Sequence, residues 1–447
     1  MSSTRTSRPR RSLSPGQRPA RPISRRTFLT DALKAGAVFY IVPRHVLGGP
    51  GYTPPSEVIT RAVIGTGAMG LSGHVTTNEE GKPPQTLAVC DVDKNHLAEA
   101  LKKAGRACQA YSDWRKVLDR KDIDAIHVAT PPHWHALIGI AAAQCGFDIF
   151  AEKPFTHTIG EGQVYRDTVR RFGRIVHVNT HYRFENYFQF GSTKLLKKLV
   201  TSGLLGKPLT VRISRALGFH WKLKEWSGRP NLTPEKVPPQ LDYDMWLGPA
   251  PRKPYHPHRV HQSFRGYWDY DGGGLTDMGQ HYLDPVQYIL GKDDTGPVAV
   301  SAVAPWPSHP DAVGLWQSVT LKYADGDTIL LNSGEWGEPD SPGLPFIEGP
   351  KGKVYDNYRT DPPGLFEPLD GLPDPPPLVE FEAAVRTRER AGGHESVAHR
   401  SCTLVNLAAL AIRLGRPLKW DPAREQFVGD EQANRLVNVP MRSPWHL

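Results

Sequence analysis

The stretch from Val58 to Gly70 restricts this chain more than any other. A β-branched run, Val58 to Ile64, ends in Gly65-Thr66-Gly67-Ala68-Met69-Gly70, and Leu71 to Asn78 reads as its continuation into a helix. In the G-x-G-x-x-G spacing the first glycine permits a tight turn, and the second lets the backbone approach a pyrophosphate. The third lets helix and strand pack closely, with the helix N-terminus facing the anion. A second strand, Thr86 to Cys90, ends at Asp91, 21 positions beyond the last glycine. A carboxylate there accepts from both ribose hydroxyls and repels a 2′-phosphate, so the pattern predicts NAD rather than NADP. Asp91 also suits the N-cap of a helix over Lys94 to Ala104, a role Asp93 can fill instead.

The alternation continues with Ala125 to Ala129 as a buried strand, Ala136 to Gln144 as a helix and Phe147 to Ala151 as a strand. Such alternation predicts an α/β fold with a parallel sheet covered on both faces, which puts ligands at the carboxyl ends of the strands. Two loops lie at those ends: Thr130-Pro131-Pro132-His133-Trp134-His135 and Glu152-Lys153-Pro154. Together, GTGAMG, CDVD, ATPPHWH and AEKP resemble the glucose-fructose oxidoreductase, inositol dehydrogenase and MocA family (Gfo/Idh/MocA), from about residue 58 to near the C-terminus. The resemblance implies an N-terminal Rossmann domain and a C-terminal α/β domain. The second domain would carry an open, mainly antiparallel sheet that makes subunit contacts, hence a homo-oligomer, dimer or tetramer. The expected boundaries are a leader and linker over 1–50, a nucleotide domain over 55–178 and a substrate domain over 179–447. Cofactor contacts are expected from Gly65, Gly67, Ala68, Met69, Gly70, Asp91, Thr130, Pro131, His133, His135, Glu152 and Lys153.

In the second half, Phe188 to Thr201 reads as a helix and Leu209 to Ser214 as a strand. A Trp- and Pro-rich stretch, His220 to Pro257, is expected to form loops over the cleft, because proline removes a donor and fixes φ. Further strands are expected at Val298 to Ala304, Trp316 to Tyr323, Thr328 to Ser333 and Pro345 to Glu348, and helices at Leu378 to Arg390 and Leu404 to Leu414. The central constellation is Gly272-Gly273-Gly274, then Asp277 and His281 at i and i+4 on one helical face, with Asp284 three residues on. A carboxylate beside an imidazole fixes its tautomer and raises its basicity, which suits a base for alcohol oxidation.

The resemblance makes Lys153, Asp277 and His281 the catalytic set. Lys153 would polarise or deprotonate a hydroxyl, His281 act as base or relay, and Asp277 orient a sugar. Which of Lys153 and His281 is the base stays open at this point. Aromatic faces pack on sugar C–H surfaces and Arg or His reads hydroxyls, so His181, Arg183, Tyr255, His258, Arg265, Trp268 and Asp277 are the substrate candidates. His256, His258 and His261 have a metal-like spacing, but no acidic or cysteine partner sits close by in sequence. They are read as a rigid pocket loop, with no metal.

Charge excludes one class of function. The formal net charge of +9 is carried by the first 50 residues, with ten basic side chains against Asp31, and the remainder balances at 45 basic and 45 acidic. A neutral body offers no global field to a phosphate backbone, which argues against nucleic-acid binding. Within the leader, Ser24-Arg25-Arg26-Thr27-Phe28-Leu29 precedes an apolar stretch from Ala35 to Val42, and this resembles a twin-arginine (Tat) export signal. It implies the Tat translocase as partner and a periplasmic or otherwise exported protein. A basic arm that binds acidic surfaces is the alternative, since only Val46-Leu47-Gly48 stands where a cleavage site would be. Cys90, Cys108, Cys145 and Cys402 lack zinc spacing and read as small core residues, with one disulfide possible.

Export makes free cofactor unavailable, so the leading expectation is an NAD-dependent oxidoreductase acting on a secondary hydroxyl of a sugar, glycoside or cyclitol. Its dinucleotide would be tightly bound and recycled in the site. The second is a glycoside hydrolase working by transient oxidation, elimination, water addition and re-reduction. The third is a dinucleotide- or sugar-binding protein without turnover.

Overall fold

The computed structural model describes residues 54–184, 190–337 and 343–447, so the segment read as a twin-arginine leader lies outside the described residues. Six strands, β1 (Arg61–Ile64), β2 (Thr86–Cys90), β3 (Gln109–Tyr111), β4 (Ala125–Val128), β5 (Asp148–Glu152) and β6 (Val176–Asn179), form one sheet in the order 3-2-1-4-5-6. Every pairing in it is parallel, and β1 lies between β2 and β4 with Ile64 level with Cys90 and Val128. β2 and β4 are buried at every position, as strands covered on both faces must be. The order reverses beside β1, so the loops after β1, β2, β4 and β5 converge on one edge, where doubly wound sheets bind ligands.

The glycine turn is built as expected. Gly65 has φ +85°, and a Cβ on it would stand 2.6 Å from the Thr130 nitrogen; one on Gly70 would stand 1.9 Å from the Gly65 carbonyl oxygen. The helix after it differs from expectation. It is a π-helical turn, Gly70–His74, and Val75 at its end is already extended. Asn78 is the reason: its amide donates to the carbonyls of Thr86 and Arg106 and accepts from the nitrogens of Gln85 and Thr86, which holds residues 75–78 alongside β2. Four such bonds at a buried amide outweigh the propensity of a short helix. The next helix, Lys94–Ala104, is capped by Asp93, which accepts from the Asn95 nitrogen and leaves Asp91 free of that role.

The second sheet has nine strands: β7 (Thr210–Ser214), β8 (Ala299–Val303), β9 (Ser318–Lys322), β10 (Thr328–Asn332), β11 (Ile347–Gly349), β12 (Gly352–Val354), β13 (Thr360–Asp361), β14 (Leu418–Asp421) and β15 (Gln426–Phe427). Their order is 13-12-11-7-10-9-8-14-15, antiparallel throughout except for the β7–β10 pair. Along β9 and β10 buried and part-exposed residues alternate, so one face is covered and the other is not. The covered face meets the buried helix Gly273–Leu290 and the helix Thr193–Ser202 through Leu196, Leu199, Leu283 and Val286. The helix Glu395–Leu414 starts nine residues earlier than the apolar run suggested, and it packs on Gly273–Leu290 and on Ile159–Phe172.

Among the described residues no helix is long and apolar enough to cross a membrane. All four cysteines are free. Cys90 and Cys402 are buried as expected, whereas Cys145 is exposed beyond the end of its helix and is not a core residue.

Candidate active site

The loops at the sheet edge enclose a cavity of about 510 Å³ lined by Gly65, Gly67, Ala68 and Met69 from the glycine turn, Asp91 from the β2 end and Thr130 and Pro131 from the β4 end. Glu152 and Lys153 at the β5 end and Asp277 and Arg265 from the second half complete it. The residues fit a dinucleotide. Gly67 borders the cavity, and the nearest protein atoms to a Cβ placed there are those of the His96 ring, at 3.8 Å, so any side chain would occupy the space a phosphate needs. Asp91 is aimed by backbone donors: its Oδ2 accepts from the Thr66 nitrogen at 2.7 Å and its Oδ1 from the Asp93 nitrogen at 2.8 Å. The expected helix N-terminus at the anion is reduced to the short turn at Gly70, so the loop nitrogens and Asp91 are the groups that would hold a dinucleotide at this edge.

At the β5 end Lys153 Nζ is 3.1 Å from Asp277 Oδ2 and donates to the Asp277 carbonyl at 3.0 Å. Arg265 Nε donates to Asp277 Oδ1 at 2.5 Å, and its guanidinium lies 4.7 Å above the Trp226 ring. Burial alone would push the Asp277 carboxyl up, but the Lys153 and Arg265 charges outweigh it and hold it down to about 2. The neighbouring Asp271 goes the other way. Burial and the Asp277 charge raise its carboxyl to about 7, and its Oδ2 has no hydrogen-bond partner.

His281 corrects one expectation. Its tautomer is not set by Asp277: Nδ1 donates to the Thr180 carbonyl at 2.9 Å, which leaves the Nε2 lone pair free in the neutral ring. Burial, then the Lys153 charge, hold its pKa down to about 4, so it is neutral at ordinary pH. Asp284 is likewise absent from the pair, because it accepts from Thr180 Oγ1 at 2.7 Å and from Arg183.

Several sequence candidates are placed elsewhere. His133 and His135 are buried braces and do not line the cavity: His133 Nε2 is 3.1 Å from the Trp246 carbonyl, and His135 spans the Thr130 and Pro154 carbonyls. Their place at the cavity is taken by Trp134 and Trp246, neither of which was among the candidate site residues. Arg183 is buried in a double ion pair with Asp284 and Asp293. Trp268 donates to the His309 carbonyl, His258 meets Tyr267 at 2.7 Å, Tyr255 packs edge-on against Tyr243, and none of them borders the cavity. His181 stacks on His281 with ring centroids 5.4 Å apart. The trio His256, His258 and His261 does not converge, since His256 faces Glu235 and His261 faces Asp93.

Glu152, a cofactor candidate from the sequence, is held by His74 and Asn179, with His127 behind His74, and these three carried no sequence signal. Glu152 Oε1 is held by His74 Nε2 at 3.0 Å and by Asn179 at 2.9 Å, and His74 meets His127 at 3.0 Å through their Nδ1 atoms. This buried chain, which holds the Glu152 carboxyl down to about 2 despite burial, anchors the strand end that presents Lys153.

Comparison with known proteins agrees with this architecture. Levoglucosan dehydrogenase of Pseudarthrobacter phenanthrenivorans is 30% identical over 209 residues, 47% of this chain and 43% of that protein. A glycosyl hydrolase family 109 protein of Shewanella pealeana is 26% identical over 196 residues, 41% of this chain and 42% of that protein. The chain therefore spans less than half the length of each of these two relatives. The WlbA dehydrogenase of Bordetella pertussis, solved with NADH and UDP-GlcNAcA, superposes with a TM-score of 0.56 at 18% identity, over 81% of this chain and 98% of that one, and shows the shared fold. Residues 59–180 match the NAD-binding Rossmann fold of an oxidoreductase family and residues 191–447 match its C-terminal alpha/beta domain, and on these two matches the chain belongs to the Gfo/Idh/MocA oxidoreductase family.

Proposed function

We propose that this protein oxidises and re-reduces a secondary hydroxyl of a sugar, glycoside or cyclitol with an NAD that stays bound between half-reactions. One observation carries the reading: Lys153 and Asp277, contributed by different halves of the chain, meet at 3.1 Å on the wall of the cavity that the glycine turn and Asp91 also line. When bound, a nicotinamide dinucleotide supplies hydride acceptance and return. The chain's part is the proton. Lys153 is presented as a donor to the reacting oxygen, held in place by Asp277, while Arg265 keeps that carboxylate ionised. His281 does not itself border the cavity; neutral, with Nε2 unprotonated and its pKa lowered by burial and then by the Lys153 charge, it is the group placed to take up the hydroxyl proton by relay and return it. This ranks His281 as base and Lys153 as the group that orients and polarises.

The twin-arginine segment supports export in the folded state, which suits a protein that must take its dinucleotide in the cytoplasm. Purifying the full chain without added nucleotide, denaturing it and identifying any released dinucleotide tests this. Near-stoichiometric NAD or NADH is expected, and a protein that exchanges NAD freely with solution would refute retention. The similarity to a glycosyl hydrolase family 109 protein favours a second reading, the redox-neutral hydrolysis of a glycoside. The two separate on product: a cleaved glycoside with no net change in the bound dinucleotide selects the hydrolase.

A further inference from the structure

The loop after β2 and the segment around His261 come from distant parts of the chain and bring three metal-ligating side chains together. One ligand atom each from Asp93, His96 and His261 lies within 4.8 Å of the others. Asp93 Oδ2 is 3.4 Å from His261 Nε2, and the two imidazoles meet edge to face with centroids 4.8 Å apart. Asp93 Oδ1 is occupied in capping the helix, so Oδ2 is the oxygen left for a ligand. Asp91 Oδ2 stands 3.8 Å from His96 Nδ1 but already accepts from the Thr66 nitrogen at 2.7 Å, so it lies beside the cluster and is not one of its three ligands.

Charge favours a cation here. Asp93 is almost fully buried and Asp91 largely so, yet among the described residues neither pairs with a lysine or arginine; their ion-pair partners are the two histidines. Buried carboxylates normally pair or coordinate metal. Around a tetrahedral ion with bonds of about 2.0–2.2 Å, neighbouring ligand atoms stand roughly 3.3–3.6 Å apart. The Asp93–His261 separation already has that value, and the exposed His261 and part-buried His96 rings are the groups that must turn to bring the remaining ligand atoms in from within 4.8 Å. The Asp93 side of the site is held independently of any ion, because the Lys94 nitrogen donates to the Gln240 carbonyl and the Asp242 nitrogen to the Val92 carbonyl, both at 3.0 Å.

We infer that Asp93, His96 and His261 bind a divalent transition-metal cation of the zinc class, with water completing the shell. Asp91, His96 and His261 also line the dinucleotide cavity, so the ion clasps the His261 segment to the rim of the nucleotide-binding loop. This clasp slows loss of the dinucleotide, a consequence that rests on the proposed function; the metal site itself does not.

The experiment uses the full chain, stripped with chelator and titrated with Co²⁺, whose d–d absorption reports a low-symmetry nitrogen and oxygen shell, with elemental analysis for stoichiometry. One equivalent is expected, competed off by Zn²⁺. His96→Ala and His261→Ala should each weaken binding at least ~100-fold, since even supporting residues around a metal site cost 10–100-fold, while His256→Ala leaves it unchanged. Absence of a saturable Co²⁺ spectrum, or binding unaffected by His96→Ala and His261→Ala, would overturn the site. If Co²⁺ binds but dinucleotide leaves equally fast with and without it, the clasp is wrong and the site stands. A protein that binds Co²⁺ as described yet holds no dinucleotide at all would refute the cofactor reading instead.

Discussion

Replacing Arg183 by methionine should destabilise the fold by about 3–5 kcal/mol without touching the cavity. Arg183 is 2% exposed. Its Nε and one terminal nitrogen donate to Asp284 at 2.8 and 2.9 Å, and its guanidinium also meets Asp293 at 2.7 and 3.1 Å. Methionine fills a similar volume but leaves Asp284, 1% exposed, with Thr180 Oγ1 as its remaining side-chain donor. Breaking one side of a buried pair costs about 3–5 kcal/mol because the other charge stays behind. Unfolding entropy of about 2.1 cal/mol/K per residue, over roughly 390 residues, is about 0.8 kcal/mol/K, so Tm should fall by about 4–6 °C. The double variant Arg183→Met, Asp284→Asn removes the stranded charge and should recover part of that loss. Thermal unfolding followed by circular dichroism gives the shift, and titration with NAD checks that cofactor affinity is unchanged. A variant whose Tm stays within about 1 °C of the parent but whose KM for substrate rises steeply would show that Arg183 reads substrate after all.

Three other outcomes follow from the site. His281 works as a base only when neutral, and its pKa is held down to about 4; kcat/KM should therefore be level through pH 5–7 on the acid side and fall only as pH drops through about 4. Loss of activity centred near the ordinary histidine value would contradict this. Asp91→Ala should weaken NAD and reduce the preference for NAD over NADP by at least ~10-fold, measured from the two binding constants; an unchanged ratio would remove Asp91 from cofactor selection. Asp271 has a folded pKa raised to about 7 against roughly 3.9 unfolded, so its contribution to stability is present below about pH 4 and is lost as pH rises through 7. Asp271→Asn should accordingly be more stable relative to the parent at pH 8 than at pH 5, by a few kcal/mol in denaturant titrations, and equal differences at both pH values would refute the buried charge.

The nucleotide half was legible because its determinants are local. A strand, a glycine turn and a carboxylate at the next strand end are contiguous or nearly so, and the Gly65 turn and the aim of Asp91 turned out as the pattern requires. The same reading failed over residues 75–78, where Asn78 bonds to β2 and to residue 106, which no helical propensity can reveal. It failed again for His133, His135 and Arg183. A histidine or arginine looks equally available whether it faces a cavity or is consumed by backbone carbonyls, as His135 is, or by partners a hundred residues away, as His133 and Arg183 are.

His281 shows the division most plainly. The i, i+4 spacing with Asp277 put both side chains near one helical face, but the partner that orients the imidazole is a backbone carbonyl, Thr180, and a carbonyl has no identity in sequence. The carboxylate went instead to Lys153 and Arg265, from loops on either side of the cleft. Sequence alone therefore determined the fold class, the nucleotide edge and which residue types stand near the chemistry, because these depend on short-range spacing and backbone constraint. Tertiary structure decided which groups share a proton or a charge, because that depends on distances of about 3 Å between residues far apart in the chain and on the burial that sets the cost of leaving a charge unpaired.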